Sequence, residues 1–341
     1  MAIERSGQRG LSLIEVMITL VLLTVGMAIF YELMISASRA GMFTESRNDL
    51  AVISERVVNT IQTEISQSRL IFEDNAIGTG YRNLFVAGLP VGTTVWTNSR
   101  MPIIDANNTT FGPDPGPNAI TNRTGNSLLV ARQLAPVSVP YDHDANAGTA
   151  DVSFLADRYQ FQFYFLKNNP ARNFGGLGYY LDLVQAKSQI VADYVQLNGV
   201  TTNRAQLLTR LNTATSITWA WDPGRAVTAP AFYSITGGAL TATNPTAFTV
   251  TVKSLCPEFA GGRISGAMEY SVCPNANTPI AVKDTVPRYA TANTNFPGGL
   301  EFQIVGQSGE RKIMTRLVTA AWYSRKFNSQ EASVVTYSHG F

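Results

Sequence analysis

From Leu11 to Tyr31 every position is apolar or small except one, Glu15. A helix over this run would be roughly 31 Å long, enough to cross a bilayer core of about 30 Å. The polar leader before it carries Arg5 and Arg9 and stops at Gly10. Positive charge on that side predicts a cytoplasmic N-terminus, with everything after Tyr31 on the far side of the membrane. Glu15 is out of place, because an acidic residue in such a helix costs about 2.5–3.5 kcal/mol and calls for a partner.

Beyond Tyr31 the pattern changes. Leu50, Ile53, Val57, Ile61 and Ile65 recur every three or four residues, with Glu55, Arg56, Asn59, Gln62 and Glu64 between them. That is an apolar stripe with a polar back on a helix. One helix is therefore expected from Leu11 to about Leu70, weakened by up to about 1 kcal/mol at each of Gly26 and Gly41. Glu73-Asp74-Asn75, then Gly78 and Gly80, should end it. The stripe predicts a β-sheet head clamped against the helix; a coiled coil or partner-binding helix is the alternative.

The rest of the chain reads as strands and loops. Leu84–Leu89, Thr93–Thr97 and Leu128–Leu134 are short runs bounded by Gly, Pro and Asn. Tyr159–Phe165 alternates, placing Tyr159, Phe161, Phe163 and Phe165 on one face, a pattern that signals core. Ser188–Leu197 and Arg204–Leu211 suggest two short helices. Strands are expected again at Ser216–Trp221, Ala231–Ile235 and Phe248–Val252. Leu300–Val305 and Lys312–Phe327 flank Gly306–Glu310 as a hairpin. Pro102–Gly125 and Pro274–Pro297 are long loops, of the kind that is functional or disordered.

Composition sharpens this picture. Charged residues are 15% of 341 and the net charge is +2, against a usual charged share of about 25%. Neither nucleic acid nor an anionic membrane surface is implied as a partner. The two histidines, His143 and His339, have no ligands at zinc spacing. Gly175-Gly176-Leu177-Gly178 lacks the strand-to-helix setting of a phosphate loop, and no nucleophile motif stands out. An enzyme is not expected. Cys256 and Cys273 both follow the membrane segment, on the oxidising side, and are expected to form one disulfide; two buried thiols are the alternative. Asp142, Asp144, Asn146 and Asp151 set oxygen donors along one loop as a candidate calcium site. Ala147 replaces the expected glycine and no bidentate Glu closes the loop, so a solvated acidic turn stands beside that reading.

The N-terminal stretch resembles the class III signal of type IV prepilins and type II secretion pseudopilins. In that family a membrane-embedded peptidase cuts after a glycine and methylates the new N-terminus. The match is Gly10 for the cut, Leu11 as the new first residue (the family more often has Phe) and Glu15 as the fifth mature residue. A plain signal anchor or a cleaved secretory peptide explains the apolar run but not this spacing. The resemblance implies an α+β, type IV pilin-like fold: a leader at 1–10, an N-terminal helix at 11–72, membrane-spanning over 11–31, packed on an antiparallel β-sheet head with long loops at 73–341. It also supplies Glu15 with a partner, the freed α-amine of Leu11 on a neighbouring subunit.

By size and architecture the chain is most similar to PilW-type minor pilins and J-type pseudopilins. This implies a structural subunit that waits in the inner membrane with a periplasmic head and then joins a cell-surface pilus. Its partners would be the prepilin peptidase, other pilins and the inner-membrane assembly platform. A tip pseudopilin of a type II secretion system is the rival reading. A pilus-tip adhesin, binding through one of the long loops, is another.

Overall fold

The computed structural model describes residues 12–114, 123–146, 148–168, 181–225, 232–256, 268–273, 288–290, 296, 298–323 and 326–338. The chain divides into two units, residues 1–48 and 49–341. A single helix, α1 (Leu13–Ser66), supplies most of the described part of the first and opens the second.

In the second unit the expected stripe is the buried face of α1. Leu50, Ile53, Val57, Ile61 and Ile65 are all buried, and Val58 joins them. Burying such a side chain is worth about 1.5–3 kcal/mol relative to leaving it in water. The helix ends at Ser66, short of the expected boundary near residue 72. Ser68–Phe72 is instead strand β1, paired antiparallel with β3 (Leu128–Tyr141). The physical reason is the apolar triplet Leu70-Ile71-Phe72, which a strand can send to opposite faces. Ile71 enters the cluster under α1 and Phe72 enters the one behind the sheet.

A second helix, α2 (Ala76–Gly88), lies where the sequence suggested breakers and a strand at Leu84–Leu89. The Asn75 side chain caps it, accepting from the amides of Ile77 and Gly78. Gly78 is needed for close approach: a Cβ there would meet the Glu73 carbonyl oxygen at 2.1 Å. Thr93–Thr97 forms no strand.

The sheet runs β1-β3-β4-β5-β10-β12-β11-β2, with β4 (Val152–Asn168), β5 (Leu181–Asp193), β10 (Met268–Val272), β12 (Arg311–Tyr323), β11 (Leu300–Val305) and β2 (Ile104–Asp105). β13 (Lys326–Ser338) lies along the other edge of β12, and β9 (Thr251–Cys256) pairs with β5. β6 (Trp219–Trp221), β7 (Phe232–Thr236) and β8 (Ala239–Ala242) extend from the end of β5. Among the described residues all pairings are antiparallel except β2 with β11 and β5 with β6.

α1 covers one face of the sheet, packing on Leu128, Val130, Tyr164, Leu183 and Phe302. α2 covers the other through Tyr81 and Phe85, against the aromatic row Tyr159, Phe161, Phe163 and Phe165 expected to be core. A third cluster joins the far ends of β3, β4 and β5 to α3 (Tyr194–Gly199) and α4 (Arg204–Thr215). The expected first short helix at Ser188–Leu197 is mostly strand: β5 continues to Asp193, whose carboxylate then caps α3 by accepting from the Gln196 amide. The expected hairpin is present, and Gly306 and Gly309 take φ of +100° and +89° in its turn, a region that glycine tolerates best.

Candidate assembly segment

In the first unit the described residues are helical from Leu13 onward, and their large apolar side chains are exposed on all sides. Leu13 is 79% exposed, Met17 60%, Leu22 66% and Phe30 63%. The segment's mean hydropathy reaches 2.5, and α1 is the one helix among the described residues long and apolar enough to cross a membrane. A helix apolar all round suits lipid or a bundle of similar helices rather than one flank of a water-soluble core. Two threonine hydroxyls are satisfied within the helix: Thr19 donates to the Glu15 carbonyl at 2.6 Å, and Thr24 to the carbonyls of Leu20 and Val21.

Glu15 has a local role that sequence reasoning overlooked. The Ser12 amide donates to Glu15 Oε2 at 2.9 Å, and the Glu15 amide donates to Ser12 Oγ at 3.3 Å. This is a reciprocal capping box, satisfying two of the helix's orphan N–H groups. The signal was legible as Ser12-x-x-Glu15 ahead of an apolar run. Gly10 and Leu11 lie outside the described residues.

The other candidates fall in the head. Cys256 and Cys273 are both buried thiols and are not bridged, contrary to expectation. The register explains why. Cys256 faces Leu183 on β5, whereas Cys273 lies one residue beyond Val272, which faces Leu181. The two are therefore about three steps apart along one edge, roughly 10 Å, where a disulfide needs Cα atoms within about 7 Å. They also pack in separate apolar clusters. Burial pushes the Cys256 thiol pKa well up, so it stays protonated.

The structure divides the candidate calcium ligands. Asp144 accepts from the Asn146 amide at 3.0 Å and from the Thr149 hydroxyl, which together hold its carboxyl below the usual range. Asn146 Oδ1 accepts from the Gly148 amide. Asp151 is ion-paired with Arg210 on α4, and the Asp142 amide donates to Gln206. Among the described residues no three His, Cys, Asp or Glu side chains gather where a metal ion could be held.

Each long loop is tied down by a buried acid where it is described. Asp114 accepts from the amides of Arg123 and Thr124 and pairs with Arg100 at 3.0 Å. Glu301 accepts from the amides of Arg288, Tyr289 and Ala290 and pairs with Arg316. Most of Pro274–Pro297 lies outside the described residues.

Glu64, read from the sequence as part of the polar back of α1, is buried. Its two oxygens accept from Arg132 on β3 at 3.1 Å and from Lys187 on β5 at 2.9 Å. A buried Ser54–Thr319 hydroxyl pair at 2.6 Å and a Tyr270–Asp49 bond add further polar ties between helix and sheet.

The family model for the prokaryotic N-terminal methylation motif matches residues 5–31. No curated protein and no solved structure matches the chain. The matched stretch contains Gly10, Leu11 and Glu15 and ends with Tyr31, where the uninterrupted apolar run also ends. The motif points to a structural protein rather than an enzyme, and with the apolar helix it fits a single-pass membrane anchor. The methylation motif supports the type IV prepilin and pseudopilin family, and the long N-terminal helix followed by a mostly antiparallel β-sheet domain is consistent with a pilin-like fold.

Proposed function

We propose that the chain is a minor type IV pilin, cut after Gly10 and methylated on Leu11, that helps to initiate or cap pilus assembly. The observation that carries this reading is the methylation motif over residues 5–31, with Glu15 as the sole charge in its apolar helix. The subunit waits in the inner membrane with its head in the periplasm. It then joins other pilins through α1, Glu15 meeting the methylated amine of a neighbour and setting register. In a low-dielectric filament core such a pair holds only while both charges are present.

Mass spectrometry of the mature N-terminus tests the processing step. Methylated Leu11 is expected; an intact Met1 in cells with active peptidase overturns the reading. The capping box refines the second test. Because Gln serves in the same box, Glu15→Gln keeps an acceptor for the Ser12 amide, but it carries no charge and cannot form an ion pair with a neighbour's ammonium group. This variant should insert and be cut, yet be depleted from sheared pili. Normal incorporation would show that the charge does not set register. Loss of protein secretion with twitching intact would move the subunit to a type II secretion pseudopilus.

A further inference from the structure

A cleft of about 700 Å³ lies in the second unit where three pieces of chain meet. One wall is the turn after β2 and another is the turn between β11 and β12; the third is Lys312 of β12 with its cross-strand neighbour Tyr337 of β13. The Asp105 carboxylate holds the first turn, accepting from the Asn107 amide at 3.3 Å and the Asn108 side chain at 2.6 Å and pairing with Arg123. The Asp105 carbonyl accepts from the Gly306 amide at 3.0 Å, which ties this turn to the hairpin, where the Glu310 amide donates to the Gln307 carbonyl at 3.1 Å. Backbone and Asp105 thus fix the shape of both walls. The side chains of Asn107, Thr109, Gln307 and Glu310 line the cleft, are exposed, and have no hydrogen-bond or ion-pair partner among the described residues. The Lys312 ammonium lies 6.0 Å from the centre of the Tyr337 ring, and Tyr337 is 56% exposed.

We infer that this cleft binds a short neutral oligosaccharide. Its charges select against an ion, because Glu310 and Lys312 are one acid and one base and favour neither sign. Its polar groups suit hydroxyls: the Asn107 and Gln307 amides and the Thr109 hydroxyl each both donate and accept, as every sugar hydroxyl does. The Tyr337 ring supplies an apolar surface on which the C–H face of a pyranose stacks. Apart from that ring the lining residues are Ala106, glycines and polar side chains, which leaves no apolar pocket to anchor a peptide side chain. The volume lies within the range of about 300–1,000 Å³ usual for small-ligand sites. Because both turns are already fixed, little ordering cost opposes binding. Ligand capture by the head goes beyond the assembly role proposed above and does not depend on how the N-terminus is processed.

The test uses the full chain in a detergent without a sugar headgroup, applied to an array of immobilised oligosaccharides. The array carries neutral chains of glucose, galactose, mannose and N-acetylglucosamine, with sialylated and sulfated chains beside them. Saturable binding to at least one neutral chain is expected. Tyr337→Ala should weaken that binding about tenfold. Asn107→Ala with Gln307→Ala removes no side-chain bond of the fold, so it should weaken binding by a similar factor and leave the melting temperature unchanged. Val335→Ala is the control, two residues along the same face of β13 and outside the cleft, and should bind as the parent does. No binding to any neutral chain, or binding confined to sialylated or sulfated chains, overturns the inference. Equal weakening by Val335→Ala, or full binding by the Asn107 and Gln307 double variant, overturns it as well.

Discussion

Replacing Glu64 with alanine would leave Arg132 and Lys187 converging on a position with no carboxylate to neutralise them. Glu64 is 11% exposed in its side chain, against 24% for Arg132 and 29% for Lys187. Removing one partner of a fully buried ion pair costs about 3–5 kcal/mol. Here both cations retain a path to water, so the expected loss is smaller, about 2–3 kcal/mol. For a domain of this size that should lower the melting temperature by roughly 5–10 °C. The measurement is thermal unfolding of the full chain in detergent, alongside Lys187→Met and the double variant. Because Lys187 touches Glu64 directly, the two losses should be non-additive by about 1 kcal/mol or more. A shift below about 1 °C for Glu64→Ala, or strict additivity, would refute the claim that this carboxylate pins α1 to β3 and β5.

Other predictions concern the head. Cys256 and Cys273 should resist alkylation until the protein unfolds, and a reducing agent should leave melting unchanged; a reductant-dependent shift would mean a bridge forms after all. Calcium should give no heat on titration and no rise in melting temperature, because Asp144 is held by its own turn and Asp151 by Arg210; stabilisation lost in Asp144→Ala would reverse this. Arg316 holds the Glu331 carboxyl below its ordinary pKa of 4.5. A depressed folded-state value stabilises above 4.5 and the contribution fades as pH falls through the lower folded value. Melting temperature should therefore drop in that acid window, and less steeply in Glu331→Gln; parallel profiles would remove Glu331 as a contributor.

Much of this architecture was readable from periodicity, because each legible element buries one face. The α1 stripe and the Tyr159–Phe165 row repeat with the spacing of their elements, and both are core. The failures have local causes. Helix α2 was hidden by Gly78, a poor helix former retained because the Glu73 carbonyl leaves no room for a Cβ. Ser188–Leu197 was misassigned because strand and helix meet inside it at Asp193. Glu64 looked solvated since charge at a helical position says nothing about what lies across from it. The cysteines sit near in sequence, but pairing them depended on β-register, which no spacing rule supplies. At the N-terminus the apolar run and its lone acid are plain in the sequence, while Ser12 looks like one more small residue until its bonds to Glu15 are seen.

That serine alters what joining a polymer can gain. Under the assembly proposed above, a carboxylate already bound to an amide three residues away would not wait empty-handed in the bilayer; part of its desolvation penalty would be offset within its own chain. Recruitment on that reading would substitute one hydrogen-bonded arrangement for another, and only the difference would drive incorporation. Such an exchange can run backwards, so a subunit built this way would be released into the membrane more readily than one whose acid had no internal refuge.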